Sequence, residues 1–170
     1  MHLDHLRQLW RPAISSGYAR EQDWTTWADQ MILKHDEPPI WIIELANAKD
    51  RGVHKVMGTI EFSSYAFDHE SIDESKLEAL LGYFWLTFTA ERCSFEDCIH
   101  RSHALVDRIS QRLNKASYWD RYESPVTALW IYITEPENYP PPRLSDCQNL
   151  YHPWHTLAQT QWNELQVAAS

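Results

Sequence analysis

The sequence predicts an all-α fold, a single-domain bundle of five to seven short helices over residues 1–170. Two observations carry that expectation. Apolar residues recur at helical spacing in most segments, and several of those segments are bounded by capping residues or proline. The composition, 44% hydrophobic and 23% charged, excludes a disordered chain and supplies a sizeable core. Four glycines against nine prolines argue against a Gly-rich barrel or a phosphate-cradling loop protein.

Trp24, Trp27, Ala28, Met31 and Ile32 line one face of a helix over residues 22–34. Asp36-Glu37-Pro38-Pro39 ends it and starts the next, because proline is tolerated in a first turn but not in a helix interior. Trp41, Leu45 and Ala48 then face inward on a helix that ends near Asp50. Residues 53–62 fit either a helix, through Val53, Val56, Met57 and Ile60, or a short strand over 56–62.

The clearest helix runs from Asp73 to Arg92. Leu77, Leu80, Leu81, Phe84, Trp85 and Phe88 form one continuous stripe there, with Asp73 or Ser75 as cap. Ser94, with Asp97 three residues on, opens a second helix to Leu113 that buries Phe95, Cys98, Ser102, Leu105, Ile109 and Leu113. So short a connection makes the two an antiparallel hairpin. Residues 124–134 favour a helix, capped by Ser124 with Pro125 first and with Val126, Leu129, Trp130 and Ile133 inside, although their β-branched content also suits a strand over 126–134. Residues 135–149 hold four prolines and form an irregular connection. His152-Pro153 opens the last helix, which buries Trp154, Leu157, Ala158, Trp162 and Leu165.

Charge narrows the function. The chain has 24 acidic and 15 basic residues, a formal net charge of −9, and the acids are concentrated: residues 61–91 carry seven acids and one base. A nucleic-acid-binding face needs clustered Lys and Arg, and the one basic stretch, Arg101 to Arg121, is interleaved with Asp107 and Asp120. Such a chain suits a protein partner with a basic surface, whose approach an acidic face steers. No segment has the apolar length of a membrane span, and residues 1–10 lack a signal-peptide core. Three cysteines, Cys93, Cys98 and Cys147, suit a reducing, cytoplasmic setting.

Catalytic signatures are sparse. Cys93, Cys98, His100 and His103 lie within eleven residues, and His152 and His155 form a second pair three apart. Their spacing matches no closed zinc module, and Cys98 falls on an apolar stripe. There is no GxSxG elbow, Ser-x-x-Lys pair or Gly-rich phosphate loop. The expectation is therefore no catalytic residue, no metal and no cofactor, with a small metal-dependent hydrolase built on His100 and His103 as the alternative and a structural or regulatory subunit as a third reading.

Aromatic residues distinguish the chain: nine Trp, eight Tyr and five Phe. Tyr118-Trp119-Asp120-Arg121-Tyr122-Glu123 alternates rings and charges in an expected loop, and such rings suit interface anchors. A second candidate surface is the acidic stretch Glu61 to Glu78, read as a long loop entering the best helix. The predicted partner-binding residues are Tyr65, Asp68, Glu70, Asp73, Glu74 and Glu78, together with Tyr118, Trp119, Asp120, Tyr122 and Glu123.

Trp24-x2-Trp27-Ala28-Asp29, followed by Pro38-Pro39-x-Trp41-Ile42-x2-Leu45, is similar to the helical segments of small acidic bacterial immunity proteins, over residues 22–50. That resemblance implies a stoichiometric inhibitor that neutralises a cognate toxin domain by electrostatic and steric blockade. It carries over no individual functional residue.

Overall fold

The computed structural model describes residues 3–50, 52–61, 74–113, 118–140 and 142–170. Among them are eight α-helices, one π turn and no strand. The helices are α1 (Leu3–Ser15), α2 (Glu21–Lys34), α3 (Ile40–Ala46), α4 (Gly52–Glu61), α5 (Glu74–Thr89) and α6 (Phe95–Leu113). The π turn (Trp119–Glu123) leads into α7 (Ser124–Thr134), and α8 (Leu144–Ala169) completes the chain. The all-α expectation holds, with one helix more than the predicted upper limit. Of the two segments left open between helix and strand, 124–134 is helical and 53–62 is helical as far as Glu61, with Phe62 outside the described residues.

The additional helix is α1. Leu6, Leu9, Trp10, Ala13 and Ile14 fall at i, i+3, i+4, i+7 and i+8, and all five are buried. At the start of α6 the expected cap is present with reciprocal bonds. The Asp97 N–H donates to Ser94 Oγ at 3.0 Å, and the Ser94 N–H donates to Asp97 Oδ2 at 3.3 Å. These bonds hold the Asp97 carboxyl below its ordinary range. Phe95 meets Phe88 at 5.5 Å and the Arg101 guanidinium lies 4.5 Å from the Phe84 ring centre, so α6 runs back along α5 as an antiparallel hairpin.

Two sequence expectations are corrected. Residues 118–123 are not a loop. They wind into the π turn, because Tyr118 and Tyr122 both enter the core from it. The last helix does not begin at His152-Pro153 but eight residues earlier, at Leu144. Pro153 removes the rung to the Asn149 carbonyl, yet both residues face solvent, where water can satisfy that carbonyl. Buried Cys147, Tyr151 and Trp154 hold the helix together on its inner side.

α5 is buried on nearly all sides, and this organises the molecule. Leu77, Leu81, Phe84 and Trp85 enter one apolar cluster with α6, the π turn, α7 and the first half of α8. Tyr83 and Leu86 enter a second cluster with α1 to α4 and the second half of α8. The sequence stripe therefore captured one of two buried faces. No pair of elements packs more extensively than α5 and α8. They meet at Gly82, where a Cβ would sit 2.0 Å from the Trp154 carbonyl oxygen and 2.9 Å from Ala158 Cβ.

Each cluster contains a chain of rings in edge or stacked contact. Trp41, Trp27, Trp10, Trp162, Tyr18 and Tyr83 run through the first, with centroids 5.1–5.8 Å apart. Phe95, Phe88, Trp85, Tyr151, Trp154, Tyr122 and Tyr118 run through the second, at 4.7–6.0 Å. Arg92 and Arg101 join the halves by donating to the carbonyls at the end of α1. Arg101 reaches Ser16 at 2.7 Å and Ser15 at 3.1 Å, and Arg92 reaches Tyr18.

Gly82→Ala is expected to destabilise the protein by about 2 kcal/mol or more, since α5 and α8 must separate to admit the methyl group. Gly58→Ala, in α4 with nothing near its added Cβ, is expected to stabilise by about 0.5–1 kcal/mol through helix propensity. Urea unfolding monitored by circular dichroism measures both; the same sign for the two variants would refute the close approach.

Candidate partner-binding site

The first turn of α5 and the π turn lie side by side. Arg121 Nη2 donates to Glu78 Oε1 at 2.6 Å, and Nη1 lies 3.5 Å from Glu74 Oε2. The Tyr122 hydroxyl donates to the same Glu78 oxygen at 2.8 Å. Glu74 and Glu78, from the end of one predicted partner-facing stretch, thus lie beside Arg121 and Tyr122 from the other, more than 40 residues away in sequence. Glu74 is exposed and Glu78 half-buried, and these two carboxylates meet one guanidinium in a turn that also carries Asp120, exposed, and Glu123, half-buried. With Arg121 and Glu74 both more than half exposed, that pair contributes only about 0–1 kcal/mol to stability, and its consequence is electrostatic position.

The rings behave differently from the expectation. Tyr118 and Tyr122 are 4% and 0% exposed and are core residues, not surface anchors. Tyr118 donates to the Val106 carbonyl at 3.2 Å, and Tyr122 packs on Trp154 at 6.0 Å. The alternation of rings and charges in Tyr118–Glu123 reflects a wound turn whose inner side is aromatic and outer side charged. Trp119 lies in the π turn with its side chain outside the described set, and Tyr65, Asp68, Glu70 and Asp73 lie outside the described residues.

His100 and His103 meet an indole. Trp130 of α7 donates its Nε1–H to His100 Nδ1 at 3.2 Å, and its ring stacks on His103 at 4.3 Å with an 8° interplanar angle. One nitrogen of His100 and one face of His103 are therefore engaged in docking α7 on α6. His155 is held below the ordinary histidine range, first by burial and then by the neighbouring His152. Among the described residues no group of three or more His, Cys, Asp or Glu side chains is arranged to hold a metal ion. Cys98 is buried and its thiol is pushed up to about 12, chiefly by burial, so it is a poor nucleophile. The three cysteines are free thiols, and no described helix is long and apolar enough to cross a membrane.

The sequence reading missed the roles of Arg92 and Arg101 as clamps on α1. It also missed three apolar residues, Leu33, Ile40 and Val167, that stand outside the buried helix faces. For the apolar three a signal was present: Leu33 and Ile40 do not belong to the stripes of their own helices. No family model, curated protein or solved structure matches this chain.

Five hydroxyls, those of Tyr18, Tyr83, Tyr118, Tyr122 and Tyr151, are pushed above the ordinary value of 10.0, in each case chiefly by burial. A raised value means that the fold disfavours the phenolate. The contribution to stability is complete below pH 10.0 and is lost as the pH rises through the folded-state values. Alkaline titration is expected to show near-ultraviolet phenolate absorbance from these residues appearing together with loss of helix. Their ionisation in a fully helical protein would contradict the burial.

Proposed function

We propose that the chain is a stoichiometric protein-binding inhibitor of the immunity-protein type. It covers a basic surface of a toxin domain by charge and bulk and performs no chemistry of its own. The observation that supports this most is the meeting of Glu74 and Glu78 with Arg121, in a turn that also carries Asp120 and Glu123. Several other cations are already engaged elsewhere: Arg92 and Arg101 on α1 carbonyls, and Lys34 on the Ala168 carbonyl. Along Glu74–Glu78 and Trp119–Glu123 four acids stand against two bases, Lys76 and Arg121, in a chain of net charge −9. Free thiols suit a cytoplasmic setting. Trp130 engages Nδ1 of His100 and one face of His103, which gives both rings a part in docking α7 on α6.

The test is recovery of affinity-tagged protein from the cells that make it, with the bound fraction identified and quantified. A basic protein is expected at one-to-one stoichiometry, and raising the salt to about 0.5 M should release it, because screening removes the steering field. The variant Glu74→Lys with Asp120→Lys should lose it while keeping its helix content. Retention of the same protein by that variant would contradict the proposal, as would recovery of no stoichiometric partner.

A further inference from the structure

Leu33, Ile40 and Val167 are the most exposed large apolar side chains among the described residues, at 87%, 74% and 73%. Each lies off the buried face of its helix. α2 buries Trp24, Trp27, Ala28 and Met31, α3 buries Trp41, Ile42 and Leu45, and the last turns of α8 bury Leu165, Ala168 and Ala169.

Three contacts bring them to one end of the bundle. Trp27 and Trp41 stack at 5.8 Å, and the Asp50 N–H donates to Glu21 Oε2 at 3.0 Å. α3 therefore returns antiparallel to α2, and Leu33 and Ile40 flank the same short turn. Lys34 Nζ donates to the Ala168 carbonyl at 3.2 Å, which sets the last turn of α8, and Val167 with it, beside that turn.

The surroundings are acidic. Asp36 and Glu37 project from the turn itself, Asp29 precedes Leu33 by one helical turn, and Glu44 follows Ile40 by one, all exposed. The terminal carbonyls of α8 add partial negative charge, the Lys34 ammonium donates to one of them, and the Arg7 guanidinium lies over the Trp41 ring at 6.0 Å. An apolar centre with a negative rim selects its occupant by charge. A second copy of the chain would bring a like-charged rim against this one. An anionic membrane is repelled in the same way. A helix with apolar anchors on one face and Lys or Arg along the flanks satisfies both centre and rim.

We propose that the end of the bundle formed by Leu33, Ile40 and Val167, with Asp36 and Glu37 at its edge, docks a cationic amphipathic helix of a partner protein. This surface is separate from the acidic site at the π turn and does not depend on it. It supplies exposed apolar anchors, whereas Tyr118 and Tyr122 at the π turn are buried.

Fluorescence anisotropy tests it, with a labelled amphipathic helix of Leu and Lys as the probe and a Leu and Glu helix of equal length as the control. The Leu and Lys helix is expected to bind the intact chain. Leu33→Ser, Ile40→Ser and Val167→Ser combined should weaken it about tenfold or more with the Tm unchanged, since all three side chains are solvent-exposed. Asp36→Lys with Glu37→Lys, which leaves the apolar centre intact, should weaken it as well. Glu74→Lys with Asp120→Lys should leave it unaltered. Undiminished affinity in the triple serine variant overturns the proposal, and so does equal binding of the Leu and Glu helix. Sedimentation velocity that shows a dimer dissolved by the serine substitutions overturns it too, by assigning the surface to a second copy.

Discussion

The contact at Gly82 sets the architecture. Two helices can approach this closely only where one lacks a side chain, and here the α5 backbone meets the carbonyl of Trp154 and the methyl of Ala158. That approach lets α5 and α8 act together as a shared wall. On one side the wall carries Leu77, Leu81, Phe84 and Trp85 with Tyr151 and Trp154; on the other it carries Tyr83 and Leu86 with Ala158 and Leu165. A residue with a Cβ at position 82 would widen the wall and loosen both clusters at once. The surplus of Trp and Tyr follows from this arrangement, because two cores, each threaded by a chain of rings, need many large side chains.

The same arrangement fixes where charge is left over. Arg92 and Arg101 extend from the α5–α6 hairpin to the end of α1, where orphan carbonyls need donors. Arg121 bridges the start of α5 to the π turn through Glu74 and Glu78. These guanidiniums hold elements together and are not gathered into a basic face, so the acid excess determines the field around them. Asp120 and Glu123 remain near one end of α5, and Asp36 and Glu37 at the turn between α2 and α3. The two acidic regions differ in kind: one has Tyr118 and Tyr122 buried beneath it, the other has aliphatic residues exposed within it.

Much of the fold was legible because helical spacing is a local signal. The stripes of α2, α5 and α6, the Ser94 and Asp97 cap and the Pro38-Pro39 break all appear in the chain as they do in space. α1 was equally legible, in the helical spacing of Leu6, Leu9, Trp10, Ala13 and Ile14. The second buried face of α5 was harder to see. Ala79, Gly82 and Tyr83 are too small or too polar to register as a stripe, and Gly82 and Tyr83 meet partners distant in sequence, Trp154 and Tyr18. Pro153 misled for a definite reason: a proline inside a helix is tolerated when the carbonyl it orphans faces water, and exposure is a tertiary property. The candidate site was legible in its carboxylates and not in its rings. Alternating rings and charges look the same in an exposed loop and in a wound turn, and only the bond of the Tyr118 hydroxyl to the Val106 carbonyl and the packing of Tyr122 on Trp154 distinguish them.

If α5 and α8 form one wall for both clusters, neither half can melt while the other stays folded. Native-state hydrogen exchange measures this most directly. The amides of residues 81–87 should exchange only through global unfolding, and the best-protected amides of α1 and α6, on opposite sides of the wall, should share that same free energy. Protection in one half lower by about 2 kcal/mol or more, with the other half and α5 still intact, would show two independent cores and contradict the account.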